Sequence, residues 1–583
     1  MTSLPVLRQS AAELLALVVI DLFPGALLVQ SAATEFGFYC DIVADQPIDD
    51  YALPLLEEKM RSFAKRNLEV KELDMMREVA ANYLEHKGQP YRADEARAAK
   101  ANILSLIQIG EFCDYCPQPY VKGTKELEFF KIFNVEKAVH YTSAQGLIDV
   151  KRIHGAVSTD KQSLKKLVKA LQAGKKADHT KLAVEMDLFA FNENLSSVSW
   201  VWKTNGTQLK EDLIKWWKDE HRLHDFSVVS TPALIKGSLV LKAGVYDDPY
   251  LEEHPAAILD IEGDPYIIPS SATPAHMFLF QEKSHSFREM PIRFAECVPL
   301  AHREHRALLW GVLNSNFVTA DCAHIFCAPE HLVEELISSL QFIDKIIKIF
   351  DFEYYWYFKG RRQRFAGTEN RWDKAINSFN SAFESCGFTY IMNEQDGSFA
   401  GPMIEARLID SFGREWEGPT LHLDFNAPDR FGLRYQGSDG KNHVPLMIKR
   451  SVFGSLEKFC ALLLEHHSGL LPVWLAPEQV RVMPIKSEYS GYAKKIRKIL
   501  YEAGYRVTVD FSDEAIVKKI TRAENEKIPY QIIIGDKEEN ENLITLRTGG
   551  CQAHQQMMAV EAFLRLVHEE VSLKTPRSRL RVR

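Results

Sequence analysis

FAGPMIEARLIDSFGREWEGPTLHLDFNAPDRFGLRYQGSDGKNHVPLMIKRSVFGSLEKF, residues 399–459, is the stretch on which the fold turns. Its first part alternates: Ile404, Ala406, Leu408 and Ile409, then after a polar turn Leu421, Leu423 and Phe425. That period of two predicts adjacent antiparallel strands. From Val452 the spacing becomes helical, with Val452, Phe453, Leu456, Phe459, Cys460, Leu463 and Leu464 on one face. Gly454 and Ser455 open this helix, a small pair that lets a large group approach the backbone.

Around this stretch the composition is that of a soluble protein. The chain has 583 residues, too many for one core, which predicts three or four domains. Apolar residues make up 46% and charged residues 26%. A net charge of −8 gives no global attraction to nucleic acid, so any RNA contact must come from local patches. Nine unevenly spaced cysteines suit a reducing cytoplasm better than a disulfide framework. The longest apolar run, Leu14 to Val29, is broken by Asp21, Pro24 and Gly25; it is too short to span a bilayer and reads as a buried helix. Only Arg8 precedes it and no clear cleavage site follows, so no signal peptide is expected.

Residues 399–459 resemble the catalytic core of threonyl-tRNA synthetases, where YGPKID, WQxGTxQLDF and HRAxxGSxERF stand in the same order. The resemblance extends over residues 8 to about 572 and implies the architecture. Residues 1–158 resemble the editing domain, through RQSAAELLALV and GFYCDIV, as an α+β unit; the family's small N-terminal domain is not matched. A helical connector, 159–189, carries seven lysines between Lys161 and Lys181, read as a solvated face, with an RNA-backbone contact as the alternative. Residues 190–472 resemble a class II core built on an antiparallel sheet. In it FSVVSTP matches motif 1, which implies a homodimer through Pro232. Residues 473–572 resemble an α/β anticodon-binding domain, and 573–583 form a basic tail. These implied parts make tRNA the expected partner and ATP and zinc the family's cofactors.

The positions that carry chemistry depart from the family. In motif 2, His302 aligns with the catalytic Arg, with Arg303 one residue away and Glu304 beside it. The motif 3 Arg is Lys458, which keeps charge but not the bidentate fork. ATP-facing positions are Glu304, Trp416, Glu417, Ser455 and Lys458, while the Lys of YGPKID is Met403. This reads as an ATP site that has lost most of its cationic charge. The implied zinc ligands, one Cys and two His in the family, are Thr273, His324 and Lys449. In the substrate pocket the ammonium-binding Asp is Cys322, and the Tyr and Gln are Ala400 and His422. A relocated metal on Cys322, His324 and His422 is a further candidate, because a thiol and two imidazoles form a soft ligand set. The editing histidines are replaced by Gln9, Glu13 and Leu17, and CxGPH survives only as Cys116 through Tyr120. Cys113 and Cys116, half a zinc site at most, read as buried thiols.

Two functions follow. The first is a catalytically impaired member that binds tRNA or another partner through its last domain, where Lys518, Lys519, Arg522, Lys537 and Arg547 supply positive charge. The second is a working threonine–tRNA ligase, or a ligase with altered amino-acid specificity.

Overall fold

The computed structural model describes residues 3–576 apart from 35, 45, 47, 100, 117–118, 143–145, 175–176, 193, 197–198, 245–257, 302–310, 314, 363 and 551–553. Two compact units divide the chain near residue 175.

In the first unit the helix Leu4–Leu22 is buried from Gln9 to Val19, polar Gln9, Ser10 and Glu13 included. It lies against a four-stranded sheet in the order Leu27–Ala33, Phe38–Val43, Gly146–Ser158, Phe129–Thr142. The apolar run Leu14 to Val29 is therefore not one helix. It ends at Leu22, turns at Pro24 and Gly25 (φ +95°), and resumes as a strand at Leu27. Proline there lacks an amide donor and glycine accepts the left-handed conformation. A second, three-stranded sheet (Val70–Met76, Ile103–Ile109, Phe112–Tyr115) carries the short helices Arg77–His86 and Pro90–Ala98.

The second unit is built on an eight-stranded sheet. Its order is Ser227–Val228, Ile292–Ala301, Phe317–Cys327, Leu446–Ser451, Glu415–Asp424, Met403–Ile409, Glu353–Arg361, Tyr390–Ser398. Both strands predicted from residues 404–425 are present, and the helix Leu456–His466 follows. Gly401 is needed here: a Cβ would clash with the Leu423 carbonyl, and the Leu423 amide donates to Pro402 O (3.1 Å) across the same contact. The helices Thr204–Leu223 and Leu332–Ile349 bury Trp217, His221, Leu336, Leu340 and Ile343 in this unit. Residues 480–573 form a five-stranded sheet in the order Val507–Val509, Val480–Pro484, Tyr530–Ile534, Ile544–Thr548, Gln555–Met558, with three longer helices. Its first three strands are parallel and the last two antiparallel to their neighbours. Among the described residues no helix is long and apolar enough to cross a membrane.

Candidate active site

Three neighbouring strands set the floor of the site. Lys449 pairs directly with His324 on one side and with His422 on the other, so the register lines up His324, Lys449 and His422 on one face. Asp321 fixes the end of this row. Its buried carboxylate accepts from the Ser451 hydroxyl (2.6 Å) and the amides of Val452, Phe453 and Gly454 (2.6, 3.0 and 2.7 Å). That turn leads into the helix Leu456–His466, where Ser455 accepts from the Lys458 amide (3.2 Å) as the N-cap.

His324 is buried and hydrogen-bonded through both ring nitrogens. Nδ1 lies 2.8 Å from Nδ1 of His276, and Nε2 lies 2.9 Å from the Thr273 hydroxyl. His276 Nε2 lies 3.1 Å from Glu296, whose carboxylate also accepts from the hydroxyl and amide of Thr231 (2.6 and 2.8 Å). Burial pushes the Glu296 carboxyl up, but His276 and Thr231 hold it below its ordinary value. An ionised Glu296 accepts from His276 Nε2–H, which leaves the Nδ1 atoms of His276 and His324 to share one hydrogen bond. His324 Nε2 is engaged by the Thr273 hydroxyl. Burial, then His276 and Lys449, keeps His324 far below the usual imidazole range, hence neutral.

Lys449 Nζ lies 2.8 Å from Oδ2 of buried Asp424. Against the upward push of burial, Lys449 and His422 hold the Asp424 carboxyl below its ordinary value. Burial and the neighbouring ammonium push His422 down to about 4; its Nε2 lies 3.4 Å from the Ser398 hydroxyl. A zinc ion does not fit the inherited positions: Thr273 is a neutral hydroxyl already bonded to His324, and Lys449 brings a cation to a ligand site. The Cys322, His324, His422 set does not assemble either. Cys322 pairs with Glu296 and packs with Ala272, Val298 and Ala320, while His324 turns to His276. Among the described residues no group of three His, Cys, Asp or Glu side chains is arranged to hold a metal ion. Ala400 contributes its carbonyl, which accepts from Asn426 Nδ2 (2.8 Å).

The face on which the resemblance places the nucleotide differs from the sequence expectation in two respects. Trp416 is fully buried and its indole N–H donates to Asp410 (2.9 Å), so it is a core residue. The face also holds two cations that the position-by-position reading missed. Lys359 Nζ lies 3.1 Å and Arg407 Nε 2.8 Å from the buried Glu405 carboxylate. Arg407 Nη2 is 3.8 Å from Glu417. Glu417 stays 58% exposed, and against the partial desolvation of this crowded face Lys458, then Arg407 and Lys359, hold it below its ordinary value. These two cations stand outside the aligned ATP positions and add positive charge that those positions do not carry. Alternation carries the signal for Arg407, because Met403, Glu405 and Arg407 share a face. His302, Arg303 and Glu304 lie outside the described residues.

In the first unit, the replaced editing positions form a buried polar knot. Gln9 Nε2 and the Ser31 hydroxyl both donate to Glu13 Oε1 (2.9 Å each), and Arg92 Nε donates to Asp114 (2.7 Å). Burial, then the Asp114 charge, pushes Glu13 up to about 8. Leu17 and Cys116 lie in the main apolar core of the unit, against which Tyr120 packs, whereas Cys113 belongs to a separate cluster with Leu104 and Leu106. Neither thiol is part of a disulfide.

In the C-terminal sheet domain the five basic groups are not equivalent. Lys519 is buried and donates to the carbonyls of Pro484 and Asp510 (3.0 and 3.2 Å). Arg522 pairs with Asp510 (3.1 Å) and Glu514, and Arg547 with Glu524 (2.5 Å). Lys518 and Lys537 are exposed.

Comparison with known proteins matches these parts. Residues 257–467 match the tRNA synthetase class II core domain (G, H, P, S and T), and residues 479–570 match the anticodon binding domain. A protein of Clostridium acetobutylicum named threonine–tRNA ligase is 34% identical over 570 residues, 97% of this chain and 88% of that protein. One of the same name from Acetivibrio thermocellus is 34% identical over 543 residues, 93% and 85% of the two chains. The solved RNA binding domain of threonyl-tRNA synthetase from Cryptosporidium parvum superposes with a TM-score of 0.64 at 31% identity, covering 69% of this chain and 99% of that one.

Proposed function

This chain belongs to the threonyl-tRNA synthetase family, and we propose that it is a member that binds tRNA through residues 479–570 without zinc-dependent activation of threonine. One observation carries the second half: the Lys449 ammonium, paired to Asp424 at 2.8 Å, stands in register between His324 and His422. Selection of threonine by the family rests on a metal that the substrate hydroxyl joins, and here a lysine takes a ligand position. The ammonium-binding carboxylate is replaced by Cys322, whose thiol burial pushes up, so it offers no counter-charge at neutral pH. Each such lost donor typically costs about 100- to 1,000-fold in rate.

The alternative is a working ligase, and it has its own support. Relatives about one-third identical over nearly the whole chain are named threonine–tRNA ligase, and Lys359, Arg407 and Lys458 retain positive charge at the nucleotide face. A cytoplasmic homodimer completes the proposal. Glu296 holds Thr231 by two hydrogen bonds and so positions exposed Pro232, the motif 1 proline, for a second copy.

ATP–pyrophosphate exchange with each of the twenty amino acids tests the reading. No threonine-dependent exchange above a no-enzyme blank is expected. Exchange with threonine overturns the reading in favour of the ligase, and exchange with another amino acid in favour of altered specificity.

A further inference from the structure

We propose that the helix-covered side of the eight-stranded sheet holds a small planar oxyanion of hydrogencarbonate size, gripped by Arg450 and flanked by His221 and Ser339. Successive residues of a strand point to opposite faces, so Arg450 leaves the sheet on the side away from Lys449. It is 3% exposed, and its guanidinium carbon lies 4.5 Å from the Phe226 ring centroid and 4.0 Å from that of Phe342. Rings against a guanidinium take up its faces and leave its N–H edges for hydrogen bonds. Among the described residues Nε and Nη2 of Arg450 have no hydrogen-bond partner. These two atoms are the parallel donors of one edge, the edge with which Arg293 grips Glu335 (3.0 and 2.6 Å). The carboxylates that act on Arg450 are thus taken: Glu335 by Arg293, and Asp321 by Ser451, three amides and the Trp217 indole (3.2 Å). Burial pushes the guanidinium down to about 9, so it stays charged at neutral pH.

His221 flanks the same two rings, its centroid 5.1 Å from each. Its Nδ1 lies 2.8 Å from the Trp217 carbonyl, which only accepts, so Nδ1 carries the proton. Burial, then the Arg450 charge, keeps the ring far below the usual imidazole range, hence neutral. Buried Nε2, which has no partner among the described residues, is therefore an acceptor. Ser339 shares a helix face with Glu335 and Phe342, and its buried hydroxyl also has no partner. A charged pair of parallel donors, a bare imidazole nitrogen and a hydroxyl together specify a ligand. Water would meet the N–H groups without countering the charge. A halide offers one centre to two donors, whereas a carboxylate edge matches both. Hydrogencarbonate adds the O–H that His221 Nε2 accepts. Such an anion would tie the helices Thr204–Leu223 and Leu332–Ile349 to the strand that carries Lys449. It lies across the sheet from the row His324, Lys449, His422 and is independent of the functional reading of that row.

The test is equilibrium dialysis of the full chain against radiolabelled formate at fixed ionic strength. Saturable retention of about one formate per chain is expected. Unlabelled hydrogencarbonate should displace it roughly tenfold more effectively than unlabelled formate, through the added hydrogen bond, and chloride should displace it far less well. Arg450→Lys keeps the charge but loses the parallel edge, and should lower retention roughly tenfold. Because the competitors act on the unmutated chain, a poorly folded variant does not weaken the test. Absence of saturable retention overturns the proposal. Chloride competing as well as hydrogencarbonate overturns it too, as does retention unchanged in Arg450→Lys.

Discussion

Thr273 Oγ1 lies 2.9 Å from Nε2 of His324, so the ring nitrogen a metal would need is already engaged in a hydrogen bond. Behind it, His324 Nδ1 is paired with His276, which is in turn held by Glu296. That is the second-layer support a ligating histidine needs, since its other nitrogen must be oriented by a partner. The support is thus intact while the inherited ligand set is broken at Thr273 and Lys449.

The double variant Thr273→Cys, Lys449→His is therefore expected to hold about one zinc per chain after reconstitution and dialysis, and the unmutated chain well below that. Thr273→Cys alone should not suffice, because the Lys449 ammonium remains beside the site. Metal analysis of the three proteins decides the point. Stoichiometric zinc in the unmutated protein would contradict the geometry.

His422 gives the protein a pH dependence of definite sign. Its folded value of about 4 lies below the ordinary 6.5, so between these limits the unfolded chain takes up a proton that the folded chain refuses. Stability is complete above about 6.5 and is lost as pH falls toward 4, by roughly 2–3 kcal/mol from this group. Urea unfolding at pH 7 and pH 4.5 should show a smaller acid loss in His422→Gln than in the unmutated chain. An identical loss would show that His422 is not the group responsible.

The fold was legible where a single periodicity ran unbroken. Alternation through Ile404–Ile409 and Leu421–Phe425 marked two central strands, and the spacing from Leu456 to Leu464 marked the helix. It was not legible at Leu14–Val29, where apolar content alone hid the turn at Pro24 and Gly25. At the site, the resemblance grouped His324 with Lys449, and these two pair across adjacent strands, whereas His422, expected on the strand next to His324, lies one strand further, beyond Lys449. It failed for Cys322, because residues two apart share a face yet lie almost 7 Å apart along a strand. What each meets is then set by the adjacent strand: Glu296 faces Cys322, and Phe294 faces His324. Trp416 was misplaced and Arg407 passed over for a related reason. Aligned positions were weighed one at a time, while the pleat sends Trp416 into the core and Arg407 onto the open face.

Glu13 has the opposite pH signature, in the other unit. Its carboxyl, raised from 4.5 to about 8, is neutral in the folded protein at pH 7 and charged in the unfolded one. The stability it contributes is complete below about 4.5 and is lost as pH rises through 8. The upper bound is about 5 kcal/mol, reduced in practice by the nearby Arg92 charge. Glu13→Gln keeps the acceptor for Gln9 and Ser31 without the ionisation. It should therefore be more stable than the unmutated chain at pH 9 and nearly equal at pH 5. Thermal unfolding at the two values checks this, and a variant less stable at pH 9 would refute it.

RNA binding should depend on the exposed Lys518 and Lys537 of the anticodon-type domain and not on its internally paired Arg522. Lys518 and Lys537 carry free-standing charge at the surface, whereas Arg522 is neutralised by Asp510 and Glu514. A cation already paired with carboxylates releases few counter-ions from a phosphate backbone, because it must first give up those partners. Retention of total tRNA on filters, measured against salt concentration, should give a steep log–log slope for the full chain. Lys518→Ala and Lys537→Ala should each lower that slope by about one, and Arg522→Ala should leave it nearly unchanged. If Arg522→Ala costs as much as the lysine variants, its ion pairs do not persist against RNA and the assignment of the contact groups fails. If no salt-dependent retention is seen at all, the domain keeps the anticodon-binding fold without its partner.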